Sequence, residues 1–294
     1  MAAISNATTK AIVNDTVNQE LIDLVVRYAT QTPYIFQGIA DVATLDKAAA
    51  LSVPIWANLA AAPSYSTESD EVASAAVTPT AVNISAAEYA TGTFLTERAV
   101  NMSVQDVQAI AIESIVKALM LQVDTITLAL ASSISGNQGS NATTNDLANF
   151  VSAQIAFMTQ AKASSYMPVC VMHPDAVRDL NADLATSGSA LLGGQVGQAA
   201  FAAFNGNAQG IFREFAGMLV ATSDRVPAGD TSGWSNFFVH AGPGESALCV
   251  AWARAPGIKT AERPERVGQY IIGSMDVGAG ILEQARAYKF ITRT

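Results

Sequence analysis

Side chains able to act as bases, nucleophiles or metal ligands are scarce in this sequence: two histidines, His173 and His240, and two cysteines, Cys170 and Cys249. The triplet His173-Pro174-Asp175 has the ingredients of a general base with an orienting carboxylate. The same residues also describe a strand end followed by a helix, with Pro174 in the first turn and Asp175 at the positive end of the helix dipole. That structural reading is the simpler one. Both cysteines lie in apolar runs, MPVCVMH and SALCVAW, which is the setting of buried free thiols in strands. No Gly-x-Ser-x-Gly elbow is present, and GSALLGGQVG (188–197) lacks the Lys-Ser/Thr that would complete a phosphate loop. Glu68, Asp70 and Glu71 are close in sequence, but their flanks are too apolar to supply a cation cage, so they read as a solvated loop tip. The expectation is a non-enzymatic protein with no cofactor and no metal.

Composition points the same way. Charged residues make up only 14% of the chain and hydrophobic ones 50%, against about 25% charged in a typical soluble domain. A surface that poor in charge is expected to be hidden in part between copies. The net charge of −9 argues against a dedicated nucleic-acid binder. MAAISNATTK lacks the basic-then-apolar build of a signal peptide, and Glu113, Lys117 and Asp124 interrupt the longest apolar stretch. These features predict a soluble chain made inside a cell and not placed in a membrane. The 294 residues suffice for one large core or two modest ones.

The elements that would have to position any site follow from periodicity. Residues 1–15 read as an arm, and Val17, Leu21, Leu24, Val25 and Tyr28 mark one face of a helix from Val17 to Ala29. Residues 34–56 suggest short strands. Residues 57–80, with small residues, prolines and the acidic cluster, form a protruding loop, and strand-like text resumes over Ala81–Val100. This pattern is a long extended hairpin. From Ser103 to Ser133 nothing breaks a helix, which Ser103 and Asp106 would cap. Val104, Val107, Ala111, Ser114, Ala118, Leu121 and Thr125 mark one stripe, Ile110, Ile112, Ile115, Leu119, Val123, Ile126 and Leu130 spread apolar surface around much of the rest, and at 1.5 Å per residue the helix would be roughly 45 Å long. SGNQGSNATTND (135–146) then reads as a linker. A helix capped by Asn145 or Asp146 follows, then strand–turn–helix over YMPVCVMHPDAVRDLNADL and a Gly/Ala/Gln-rich loop over 186–210. A strand ending at Pro227–Gly229 comes next, then a pair of strands around Gly242-Pro243-Gly244, and two closing strands. The class is α+β. Arg254, Lys259, Arg263 and Arg266 form a late basic cluster that could pair with Glu68, Asp70 and Glu71 of a neighbouring copy, or simply be solvated.

The order of these parts resembles the major capsid proteins of tailed bacteriophages, the Hong Kong 97 fold. EYATGTFLTERAVNMSVQDVQAIAIESIVKAL is similar to the family's strand-then-spine passage, and PVCVMHPDAVRDLNAD to the strand-turn-helix of its axial domain. GMLVATSDRVPAG resembles its strand ending in Val-Pro, and IIGSMDVGAGILEQARAYKFIT its closing strands. The resemblance covers nearly the whole chain.

It implies four parts: arm and first helix (1–45), extended loop hairpin (46–100), peripheral domain with spine helix (101–144 with 256–294) and axial domain (145–255). It implies a virion protein, made in the host cytoplasm, whose hexamers and pentamers close into an icosahedral shell around double-stranded DNA without sequence-specific binding. The implied partners are further copies, a portal protein, and separate scaffolding and decoration proteins. Pro227, Gly229 and Asp230 would lie in the loop nearest the symmetry axes, with 186–210 as second choice. Some relatives crosslink through a lysine on the extended loop, but none lies between Lys47 and Lys117 here. The short arm implies that scaffolding comes from a separate protein. The alternative within this fold is an encapsulin, a cellular compartment that encloses a cargo enzyme.

Overall fold

The computed structural model describes residues 34–45, 50–56, 79–102, 107–140, 142–160, 166–186, 208–209, 212–228, 233–242, 244–263 and 267–293. In chain order these form a single helical turn α1 (Phe36–Ile39), strands β1 (Ala40–Thr44), β2 (Ala50–Trp56), β3 (Pro79–Ser85) and β4 (Ala87–Thr96), and helices α2 (Glu97–Met102) and α3 (Val107–Ala129). A 3-10 turn, Leu130–Ser133, extends α3 before β5 (Asn137–Gly139), α4 (Leu147–Gln160), β6 (Pro168–Met172) and α5 (Pro174–Thr186). The remaining strands are β7 (Ala208–Gln209), β8 (Phe212–Phe215), β9 (Met218–Thr222), β10 (Gly233–His240), β11 (Leu248–Arg263), β12 (Gly268–Ile281) and β13 (Ala287–Arg293).

Two sheets carry the structure. The four-stranded sheet has the order β1-β11-β12-β4 and the seven-stranded one β5-β13-β10-β6-β9-β8-β7. The unbroken apolar run of β6 is explained by its central place: all five residues are buried, as expected for a strand covered on both faces. Alternation then sorts side chains into two cores. Cys170, Met172 and Phe238 meet Phe150, Ala153 and Phe157 of α4 and Ala176 and Leu180 of α5. Val169, Val171, Phe237 and Val239 face the other way, onto Ile35, Ile39, Leu128, Ala131 and Ile134.

The spine α3 lies across the four-stranded sheet, burying Ile112, Ile115, Val116, Leu119 and Val123 against Ile271, Met275 and Val277. Close approach is possible because β12 offers Gly273, where a Cβ would stand 2.3 Å from Ile115 Cγ2. On the opposite face Ile84 of β3 packs on Cys249 and Ala251, and a Cβ at Gly278 would meet the Ser85 carbonyl oxygen at 2.2 Å. β2 and β3 pair antiparallel from Ala50↔Ser85 to Trp56↔Pro79, while the predicted loop over 57–78 lies outside the described residues.

Several expectations need correction. The regular helix spans 23 residues, Val107–Ala129, about 35 Å, and the capping pair Ser103 and Asp106 lies outside the described residues. Of the apolar residues all round it, Ile112, Ile115, Leu119 and Val123 are buried, while Ala111 is half-buried and Ser114 and Ala118 are exposed. Apolar residues all round the helix hid which side faces the sheet. Residues 97–100 are helical rather than strand. The expected linker contains β5, paired parallel with β13, and the fully buried Asn145. The strand before Pro227 is a hairpin, β8 and β9, turning at Ala216–Gly217. The strands on either side of Gly242-Pro243-Gly244 do not pair with each other: β10 joins the large sheet and β11 the small one. The closing strands β12 and β13 likewise part: β12 stays in the four-stranded sheet and β13 joins the seven-stranded one. Pro256, which cannot donate to a ladder, sits in β11 beyond the reach of β1, which pairs only with Leu248–Trp252, and beside a register shift on the β12 side. The predicted helix 17–29 lies outside the described residues.

Candidate functional site

His173 ends β6 and starts the α5 turn, as the simpler reading required. Its ring stacks on Trp234 with centroids 3.5 Å apart and planes 11° from parallel. The backbone N–H of Asp175 donates to His173 Nδ1 at 3.2 Å, so that nitrogen is an acceptor and the Asp175 carboxylate, 3.3 Å away, faces a neutral ring. Burial pushes the His173 pKa below its usual 6.5, against the opposing pull of Asp175 and Asp224. Asp175 is itself engaged by Arg178. Asp146 caps α4 by accepting from the Asn149 N–H at 2.7 Å. His240 packs on Phe157 at 4.9 Å, and its buried Nδ1 has no hydrogen-bond partner among the described residues. Burial, with Arg286 nearby, lowers its pKa as well. Cys170 and Cys249 are buried free thiols in strands; burial raises the pKa of both, that of Cys249 to about 11. Among the described residues no group of three or more His, Cys, Asp or Glu is placed to hold a metal ion.

The two histidines make stability depend on pH. A histidine whose pKa is lower in the folded than in the unfolded state contributes fully above 6.5, and that contribution is lost as pH falls below 6.5, where only the unfolded chain takes the proton. Denaturant unfolding should therefore show stability dropping as pH is lowered through 6.5, with His240→Gln flattening the slope. An unchanged slope in that variant would remove His240 from the account.

The charged candidates divide. Arg254 Nη2 donates to Glu88 Oε1 at 2.8 Å and to Asp276 Oδ1 at 3.0 Å, so it is engaged within its own chain. The Glu88 hydrogen bond chiefly, with Asp276, holds its pKa above the usual arginine value. Lys259 is exposed on β11. Arg263 ends β11, while Arg266 and the acidic trio Glu68, Asp70 and Glu71 lie outside the described residues. Pro227 sits in the turn that leads into β10, where its carbonyl accepts from the Ser235 N–H at 3.0 Å and Ala228 bridges to Trp234. This turn is at the same end of the large sheet as His173. Gly229 and Asp230 lie outside the described residues.

Sequence reasoning missed Asp124. On α3, only 5% exposed, its carboxylate accepts from the Phe36 N–H at 2.9 Å, with the Ile35 N–H as a second donor. It thus caps α1 and pins the entry of the chain to the spine, while burial raises its pKa against those donors. An acid in the apolar second half of the helix was the available signal, read only as an interruption. The stretch Val107–Ser133 reaches a mean hydropathy of 1.5 over its best window and is long enough to cross a membrane. Its buried residues pack on the protein's own sheets. We expect Asp124→Leu to cost about 2–4 kcal/mol in urea unfolding, since two N–H groups would be left unpaired at about 1–3 kcal/mol each. Asp124→Asn, which keeps an acceptor, should cost less than half as much.

No protein-family model and no curated protein matches the sequence, but the fold has close counterparts among solved structures. The capsid of cyanophage P-SCSP1u superposes with a TM-score of 0.67 at 15% identity, covering 90% of this chain and 89% of that one. The capsid of a native GTA particle gives 0.63 at 13% identity over 88% and 90%. A virus-like particle from Pyrococcus furiosus gives 0.59 at 10% identity over 92% and 98%. With nine-tenths of both chains in register, the fold of this protein is that of the major capsid proteins of tailed bacteriophages.

Proposed function

We propose that the protein is the major capsid protein of a tailed bacteriophage, assembling as hexamers and pentamers into an icosahedral shell around packaged double-stranded DNA. The observation that carries this reading is coverage: the likeness to phage capsids spans about nine-tenths of both chains. The surface supports it. Ile155 (60% exposed) and Met158 (54%) on α4, and Ile272 (41%) on β12, are apolar groups that neighbouring copies in a closed shell would cover.

In this reading α3 with the four-stranded sheet is the peripheral domain and the seven-stranded sheet with α4 and α5 the axial domain. The turn holding Pro227, Gly229 and Asp230 approaches the symmetry axes. The tip at 57–78 lies over an adjacent subunit, where Glu68, Asp70 and Glu71 meet Lys259, Arg263 and Arg266, with Arg254 as the fixed edge of that patch. A portal protein and separate scaffolding and decoration proteins complete the particle, which forms in the host cytoplasm. An acidic subunit suits this role, because many phosphate contacts would hinder packing and release of DNA. The match to the Pyrococcus particle supports the second reading, an encapsulin-type shell around a cargo enzyme. Electron microscopy of particles from the natural source, with their contents assayed, tests both: large shells with double-stranded DNA are expected, small shells with protein cargo would establish the second reading, and a persistent monomer would overturn both.

A further inference from the structure

Beside its aromatic core the seven-stranded sheet carries a polar corner. A cavity of about 130 Å³ lies there between α4, the edge strand β5 and the end of β13. Its polar wall is Gln138, Thr143, Asn145, Asn149 and Thr292, and Gly139 beside them is exposed, so the cavity reaches solvent. Asn145 is 0% exposed. Its Nδ2 donates to the Ala176 carbonyl at 2.8 Å and lies 3.6 Å from Met172 Sδ. That fixes the amide's orientation, since a flip would set oxygen against oxygen. Asn145 Oδ1 has no hydrogen-bond partner among the described residues, a costly state for a buried acceptor.

A second residue of the wall supplies a donor. The His173 N–H donates to Asn236 Oδ1 at 2.7 Å, and Asn236 Nδ2 donates to Thr292 Oγ1 at 2.9 Å. Thr292 is 1% exposed, and accepting that bond leaves its hydroxyl proton to be given. An occupant that meets both groups must donate to Asn145 Oδ1 and accept from Thr292. The charge around the cavity narrows its class. An anion finds no cationic side chain among the described residues of the wall, and the Leu147 and Asn149 N–H groups of the first turn of α4 are taken by Asp183 and Asp146. A cation would face the positive end of α4 and could not accept from Thr292. Asn149 Nδ2 is spent on the Thr144 carbonyl at 3.0 Å and Asp146 Oδ2 at 3.2 Å, which leaves its oxygen as a further acceptor. A small neutral molecule with both a donor and an acceptor fits, and water is the smallest. At about 30 Å³ per molecule there is room for several.

We propose that this cavity is a hydration site in which one water bridges Asn145 Oδ1 and the Thr292 hydroxyl. The bridge ties the start of α4 to the neighbouring strands β13, β10 and β6. The relay then runs unbroken from Asn145 through Thr292 and Asn236 to His173 at the start of α5, and it does not depend on the shell reading. A density map of the full-length protein at about 2 Å, from subunit crystals or from particles, tests it. A peak is expected at about 2.6–3.2 Å from both Asn145 Oδ1 and Thr292 Oγ1. Oδ1 with no peak beside it, or bonded directly to a protein donor, would overturn the proposal. So would a peak at about 2.3–2.6 Å from several oxygens, the spacing of a bound cation. Asn145→Leu removes the acceptor at nearly constant volume, and a map of that variant should lack the peak. A peak retained there would take the water away from Asn145 and overturn the bridge. Should the variant fail to fold, the wild-type map decides the question by itself.

Discussion

Replacing Phe238 with alanine should destabilise the subunit by about 3–5 kcal/mol, the range for removing a fully buried aromatic ring. Phe238 is 0% exposed and lies 5.7 Å from Phe150, 5.7 Å from Phe157 and 4.9 Å from Phe290 between ring centroids. The variant would therefore lose both buried area and ring-to-ring contacts worth about 0.5–1.5 kcal/mol per pair. Phe150 and Phe157 of α4 and Phe290 of β13 surround the ring, and a sheet interior cannot collapse to fill the hole as a surface helix can. Against a total stability of about 5–15 kcal/mol, the loss should be visible as a large fall in the urea midpoint and poor recovery of soluble protein. Ile155→Ala, on the exposed side of α4, should change the midpoint by less than about 0.5 kcal/mol. A loss below about 1.5 kcal/mol for Phe238→Ala would mean that the large-sheet core is not packed as described.

The second large effect is on assembly. Deleting residues 64–74 should leave the subunit folded and reduce the yield of stable closed shells at least tenfold. The fold should survive because β2 and β3 are held by their own ladder and by Ile84 on the sheet beneath. Residues 57–63 and 75–78 remain to close the hairpin, and shortening a loop changes its closure entropy only slightly. Shells should fail because the deleted tip carries Glu68, Asp70 and Glu71, the proposed clamp on the neighbour. Circular dichroism and thermal melting report the subunit, and sedimentation with negative-stain microscopy reports the shells. Normal shells of normal thermal stability would remove the tip from the assembly contacts.

Fold class and element order were legible in the sequence because several segments carry strong local signals. Pro168–Met172 is an apolar run ended by His173-Pro174, and Asp146 precedes the amphipathic α4, so both boundaries could be placed within a residue or two. Pairing was not legible. β10 and β11 look like a hairpin because only a short turn separates them, yet the Ala247 N–H donates to the His240 carbonyl only to close the corner, and β11 then leaves for the other sheet. Sequence separation says nothing about which sheet a strand joins. The orientation of α3 was hidden for a different reason: apolar residues surround it, so periodicity gives no preferred face. Asp124 was overlooked because its partners are backbone N–H groups 88 residues away, which leave no trace in residue types. Of the charge candidates, Arg254 could not have been sorted from Lys259 without knowing that β4 and β12 bring Glu88 and Asp276 beside it.

The spine contributes to both cores: Ile112 to Val123 belong to the one beneath the small sheet, and Leu128, Ala131 and Ile134 to the one behind the large sheet. Neither sheet can therefore melt while its half of the helix stays ordered without exposing part of the other's interior. The two bodies are thus expected to unfold as a single cooperative unit. A calorimetric trace of the isolated subunit should show one endotherm, and a protease that nicks the chain between the sheets should release no stable half. A chain built this way should tilt or strain as a whole under load and resist being partly unfolded.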